Sequence, residues 1–388
     1  MGAHRVDDAR FLPQGPRVVS RPLRVGIDGR ELQGRPTGVG RYLRSLLRQF
    51  AGHEHHRFTI YASSSLALPV ESANLEVRVL SGAPSLMWEQ STLRSAVSAD
   101  AMDVLLSPAY SCPIFGGIPR VTAIHDLSFF ARRDEFGFAH GVRRRVMARL
   151  SAGASSSILA CSEFTRNQVR TYLGEGAAAK TEVVRLGPDD DLPPGSNREE
   201  SRRALGIDEG APYVITVGTV LRRRNVTTLV RAVARLLEAM PDLRLGIVGE
   251  NRSHPFEDLD ALARSFGGAD AVRVTGFVAD EEVARHYAAA DLAVFLSEYE
   301  GFGLPALEAM SRGVPVLIAD RGSLNEMFAP GALVVEPQET AVAAALNRVL
   351  NEPGLKADLR ARGLERAKAF SWKKAASETL AVLEKAAG

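Results

Sequence analysis

The feature that most limits how this chain folds is an alternation that runs along it twice. Short runs of Val, Ile and Leu, each about the length of a β-strand, are separated by segments with helical periodicity. Strands that are apolar on both faces must be covered on both, which predicts parallel sheets with helices above and below. In the first half the strands are read at "LRVGIDG" (23–29), "RFTIYAS" (57–63), "DVLLSP" (103–108), "RVTAIHD" (120–126), "SSILACS" (156–162) and "TEVVRLG" (181–187). The stretch "GPDDDLPPGSNREES" (187–201) then breaks the pattern with Pro, Gly and charge, and reads as a linker. Beyond it the alternation resumes at "YVITVGT" (213–219), "LRLGIVG" (243–249), "VRVTGF" (272–277), "LAVFLS" (292–297), "PVLIAD" (315–320) and "ALVVE" (332–336). At 388 residues the chain is too long for one core, so the expected fold is α/β, with two doubly wound domains facing a cleft. Ligands of such sheets bind beyond the carboxyl ends of the strands, and motifs there carry the functional weight.

Composition excludes several classes. With 45% hydrophobic and 24% charged residues the chain is of ordinary globular type, and no apolar run approaches the roughly 18 residues of a membrane span. Residues 1–21 hold Pro, Gly and scattered charge without the apolar stretch of a signal peptide, and read as a flexible extension. Cys112 and Cys161 are the only cysteines, too few for a disulfide framework and not spaced as a metal site, so a reducing cytoplasm is expected. Residues 1–190 carry 24 Lys and Arg against 18 Asp and Glu, whereas residues 191–388 carry 24 against 28. The first half therefore has the milder affinity for anions.

The most informative stretch is "SEYEGFGLPALEAMSRGVPVLIAD" (297–320). After the strand "LAVFLS", Pro305 suits the first turn of a helix, so the N–H groups around Phe302, Gly303 and Leu304 form an anion site to which a diphosphate fits. Glu300 precedes that helix and Glu308 lies about one turn inside it. A carboxylate accepts two hydrogen bonds from a vicinal diol, so each could hold one sugar; equally, both could simply favour the positive end of the helix dipole. In the first half, Gly34, Gly38 and Gly40 lie in "GRPTGVGRYL", which has Leu43 where a dinucleotide fingerprint needs a small residue. His125 stands just beyond a strand, where a packing role and a catalytic one are both open.

Together these segments resemble the retaining family 4 glycosyltransferases. "EGFGLPALEAM…GVPVLIAD" is similar to that family's signature of two glutamates eight positions apart, which implies that Glu300 contacts the donor sugar and Glu308 the nucleotide ribose. "VGTVLRRRNVTTLVRAV", with Thr219, resembles the stretch whose basic pair grips the donor diphosphate. That role passes to Arg223 and Arg224, the second replacing the usual lysine by a planar fork. "GVGRY", with Gly38 and Gly40, resembles the loop that closes over the donor phosphate, and "HD" places His125 at the donor sugar. "GFVADEEVARHY" resembles the segment that meets the base through its backbone, near Val278. "MWEQSTLRS" and "FSWKKAA" match too, the latter opening a terminal helix.

The resemblance implies the GT-B fold. Its expected parts are an acceptor-side Rossmann-like domain at 22–190, a donor-binding one at 191–370, and a helix at 371–388 crossing back to the first. It also implies transfer of a sugar from a nucleotide diphosphate sugar, with GDP-mannose favoured over a UDP-sugar, to a glycan or lipid-linked acceptor. No metal or other cofactor is expected. Asp189, Asp190 and Asp191 satisfy a D-x-D metal pattern but fall in the linker. A nucleotide-sugar epimerase and a non-catalytic nucleotide-sugar-binding protein share the scaffold and are the alternatives. The segment "ARRDEFGFAHGVRRRVMARL" (131–150) is basic with interleaved apolar residues, and reads either as a solvated helix or as peripheral contact with an anionic membrane. A nucleic-acid partner is not expected.

Overall fold

A computed structural model describes residues 21–34, 37–189, 192–193 and 197–388. The first half builds a parallel sheet from β1 (Arg24–Asp28), β2 (Arg57–Ala62), β3 (Leu75–Val79), β4 (Val104–Ser107), β5 (Arg120–Ile124), β6 (Ser157–Ala160) and β7 (Thr181–Val183). The second builds another from β8 (Tyr213–Val217), β9 (Arg244–Val248), β10 (Val272–Gly276), β11 (Leu292–Phe295), β12 (Val316–Ala319) and β13 (Leu333–Val335). The orders are β3-β2-β1-β4-β5-β6-β7 and β10-β9-β8-β11-β12-β13. Both sheets are doubly wound, with strand order reversing between β1 and β4 and between β8 and β11, where ligand crevices form.

The central strands are buried along nearly their whole length, as Val and Ile on both faces require. The sequence reading missed β3, so the first sheet has seven strands rather than six. Its "LEVRV" lies at the sheet edge, where Glu76, Arg78 and Val79 are at least partly exposed, and the charges that protect an edge also hide it from an apolar-run criterion. The segment read as a linker is not irregular to its end. A helix begins inside it (Arg198–Leu205), where the Asn197 side chain accepts a hydrogen bond from Glu200 N at 2.8 Å. The proposed extension at 1–21 lies almost wholly outside the described residues.

The last helix (Trp372–Ala387) returns to the first sheet, packing on the Gly38–Phe50 helix and on β4, β5 and β6. Trp372 is the pivot of this return. Its indole Nε1–H donates to the Pro188 carbonyl at 2.6 Å, and Gly187 packs so closely that a Cβ there would lie 2.4 Å from Trp372 N. Phe302, Phe328 and Phe370 meet beside it, with ring centroids 5.7–5.9 Å apart. One apolar cluster thus joins the two halves. Replacing Trp372 with Ala empties this joint and should destabilise the protein by about 3–5 kcal/mol. Urea unfolding is the check, and a loss below about 1 kcal/mol would show that the helix docks without it.

Candidate functional site

A cleft of about 990 Å³ opens between the carboxyl ends of the two sheets. It is lined by the loops after β1, β4 and β5 on one side and after β8, β9, β10 and β11 on the other.

On the second wall, β11 runs into the loop bearing Glu300 and then into the Leu304–Ser311 helix. Gly303 begins that helix with φ 98° and ψ 46°, a left-handed conformation that glycine adopts without strain, and no side chain caps the helix. Phe302 turns its ring into the Phe328 and Phe370 cluster, leaving its backbone to the cleft. Arg224 Nη2 donates to Glu300 Oε1 at 2.9 Å, and Arg223 Nη1 to Glu135 Oε2 at 2.8 Å across the cleft. Burial opposes the charge of Arg223, but Asp126, Glu300 and Glu135 outweigh it and hold its pKa above the ordinary value. The Nε atoms of Arg223 and Arg224 are both buried without a hydrogen-bond partner. Both arginines thus line this wall with one buried donor each that no protein group satisfies. Thr219 and Val278 border the same wall.

Deeper in, Glu308 is 4% exposed. Its Oε2 accepts from the Tyr287 hydroxyl at 2.9 Å, and its Oε1 lies 4.0 Å from Arg41. Burial, helped by Asp189 and opposed by Arg41 and Tyr287, pushes its carboxyl up to about 7. Arg41 also pairs with Asp189 at 2.8 Å and with Asp280 at 2.5 Å. Burial works against its charge, yet Glu308, Asp189 and Asp280 raise its pKa.

On the first wall, His125 Nε2 lies 2.8 Å from the Pro108 carbonyl. A carbonyl only accepts, so Nε2 carries the proton and Nδ1 the lone pair. Burial lowers the pKa of this ring, which Tyr42 contacts edge-on at 4.7 Å. Immediately opposite is Gly301, where a Cβ would fall 1.8 Å from the His125 carbonyl oxygen. The Gly301 carbonyl accepts from Ser162 Oγ at 2.7 Å and from the Cys161 thiol at 3.3 Å. Burial pushes that thiol up to about 12, which leaves it a hydrogen-bond donor rather than a nucleophile. Gly38 lines the cleft, whereas Gly40 lies behind it: its N–H is capped by Thr37 Oγ1 at 2.9 Å, and a Cβ would approach the Glu31 carbonyl to 2.5 Å.

His125, Arg223, Arg224, Glu300, Glu308, Gly38, Thr219, Val278, Phe302, Gly303 and Leu304 thus border one cleft, and Gly40 does not. The sequence reading passed over Arg41, Tyr287, Glu135 and Gly301. Arg41 lies within "GVGRY", where its basic side chain beside two glycines is the one signal the sequence offers. Asp189, first of the acidic run, is engaged by Arg41, while Asp190 and Asp191 lie outside the described residues. Among the described residues no group of three His, Cys, Asp or Glu side chains converges as a metal site.

Comparison with known proteins gives concordant matches for the two halves. Residues 36–192 match Glycosyltransferase Family 4, and residues 197–367 match Glycosyl transferases group 1. The chain is 31% identical to the O-antigen chain mannosyltransferase B of Escherichia coli, over 67% of this chain and 68% of that protein. It is 32% identical to the D-inositol 3-phosphate glycosyltransferase of Nocardiopsis dassonvillei, over 69% of this chain and 65% of that one. The second such enzyme, from Kineococcus radiotolerans, is matched over 58% of its length, so the chain spans less than two thirds of these first relatives. In structure it resembles the sucrose-phosphate synthase of Thermosynechococcus elongatus (TM-score 0.77, 20% identity, 94% of this chain and 98% of that one). It also resembles Anabaena HepE in complex with UDP and glucose (0.75, 19%, 94% and 100%). At these identities the structural likeness establishes the fold.

Because the folded protein holds the Glu308 proton up to about pH 7 and the unfolded chain releases it near 4.5, this group's contribution is fully present below pH 4.5 and lost as pH rises through 7. Glu308→Gln keeps the shape without the charge. It should match the parent near pH 4 and exceed it by about 3 kcal/mol at pH 8. Denaturant midpoints at the two pH values check this, and a difference that does not change with pH would refute it.

Proposed function

Since this chain belongs to the family 4, group 1 glycosyltransferases, we propose that it moves a sugar from a nucleotide diphosphate sugar to a hydroxyl of a glycan or lipid-linked acceptor, with retention. The observation that carries this reading is the Arg224–Glu300 pair beside the uncapped start of the Leu304–Ser311 helix, on the wall of a cleft at two switch points. The bond from the anomeric carbon to the diphosphate oxygen breaks as a new bond to the acceptor oxygen forms on the same face. The acceptor proton passes to the departing diphosphate. Arg223, Arg224 and the N–H groups of Gly303 and Leu304 stabilise the charge that develops there, without a cation. Glu300 and His125 orient the sugar, Glu308 holds the ribose, and Val278 and Thr219 border the base and phosphates. GDP-mannose is the favoured donor, with support from the Escherichia coli mannosyltransferase, and UDP-sugars come next.

Thermal shifts with UDP, GDP, ADP and their sugars, with and without EDTA, test this. A bound donor at a hundred times its dissociation constant adds about 2.7 kcal/mol. One base should give a selective, EDTA-insensitive shift, and Glu300→Ala should keep that shift while losing turnover. Silence across the panel would remove the transferase reading.

The Phe138–Ala154 helix supports a second element of the proposal, peripheral contact with an anionic membrane. Phe138, Val142, Val146 and Leu150 recur every fourth residue and are 86%, 37%, 47% and 45% exposed, with Arg143 and Arg149 beside them. Such a stripe seats an amphipathic helix in a headgroup layer. Among the described residues no helix is long and apolar enough to cross a membrane. The protein should sediment with phosphatidylglycerol vesicles at low salt, and Val142→Asp with Val146→Asp should abolish this. No sedimentation of the parent would remove the idea.

A further inference from the structure

The cleft's arginines are not alike. Arg30 pairs with Asp28 and Glu89, Arg41 with Asp189 and Asp280, Arg223 with Glu135, Arg224 with Glu300, and Arg252 with Glu250. Arg143 and Arg144, which line the same cleft from the Phe138–Ala154 helix, have no carboxylate partner among the described residues. Arg143 Nη2 lies 3.3 Å from His140 Nδ1, another cleft-lining group on the same helix. The Arg144 guanidinium sits over the Tyr110 and Phe129 rings, 5.9 and 5.8 Å from their centroids. Aromatic contact of this kind fixes the plane of the fork while leaving its N–H edge free. Burial, Arg144 and Arg143 together lower the pKa of His140, in keeping with uncompensated positive charge there.

We propose that His140, Arg143 and Arg144 form a second anion site that takes a phosphate group on the acceptor. The inference rests on the transferase reading above and adds the acceptor's chemical class. Charge count favours phosphate over carboxylate, because two guanidinium forks match a phosphate dianion with three acceptor oxygens better than a carboxylate monoanion with two. Position assigns it to the acceptor, because the trio stands on the first sheet's side of the cleft and Arg223 and Arg224 on the second's. On the same helix the exposed apolar stripe adjoins these cations, so a phosphate carrying an apolar tail and a free phosphate ester share the chemistry.

Calorimetry with the nucleoside diphosphate already saturating tests the site apart from the donor arginines. Two probes are used, glycerol 3-phosphate and monomeric dihexanoyl phosphatidic acid. Both should bind the parent, and Arg143→Gln with Arg144→Gln should weaken them by about tenfold or more per arginine while nucleotide binding is retained. Arg144→Lys, which keeps the charge but loses the fork, should fall between. Equal affinities for the two probes mean that the phosphate alone is read, and tighter binding of the lipid means a lipid-linked acceptor. If neither probe binds, or if the double variant binds both as well as the parent, the site is overturned. Failure of the nucleotide itself to bind would count against the transferase reading instead, and is seen separately in the first titration.

Discussion

The closeness of two backbones governs this site. Gly301 approaches the His125 carbonyl so nearly that no side chain fits between them, and its own carbonyl is held by Ser162, Thr165 and Cys161 from the first half. Glu300 and Gly303 flank Gly301 in sequence, so the contact that brings the walls together also sets where the carboxylate and the helix start face His125. Hydrogen bonds from three side chains to one carbonyl are individually modest, but each would leave a buried polar atom unsatisfied if broken. Tyr299 adds a further tie, accepting from Leu127 N at 3.2 Å.

Around that contact the electrostatics are largely compensated within the protein. Arg224 and Arg223 rest against Glu300 and Glu135, and Arg41 against three carboxylates. An arriving diphosphate would therefore compete with resident carboxylates rather than meet bare charge. Such exchange costs less than desolvating an unpaired ion, and it frees carboxylate oxygens to accept from sugar hydroxyls. Glu308 differs because burial raises its carboxyl to about 7, so it carries its charge only in part near neutral pH although Arg41 is near.

Much of this was legible in the sequence because it depends on local order. Twelve of the thirteen strands fall in runs that the apolar pattern picks out, and the helix start after Gly303 follows from a glycine and a proline at fixed spacing. β3 escaped because an edge strand needs no apolar run, and the helix at Arg198–Leu205 because its polar face dominates eight residues. Pairings were not legible at all. Nothing near Arg41 in sequence announces Asp189 or Asp280, 148 and 239 positions away, and Glu135 meets Arg223 across 88. These contacts are set by how two separately wound sheets face each other, which local pattern does not encode. Gly301 is similar: its lack of a side chain matters only because His125 lies opposite.

The Glu163–Leu173 helix belongs to the first half, yet its start is completed from the second. The Glu326 carboxylate accepts from Glu163 N at 2.9 Å and Phe164 N at 2.7 Å, while the Ser162 hydroxyl accepts from Thr165 N and donates to the Gly301 carbonyl. Parting the walls would strip this helix of its anionic cap and leave two amides bare. The helix is thus a latch that is intact only when the halves meet, and the solvent exchange of those two amides would count how often they come apart.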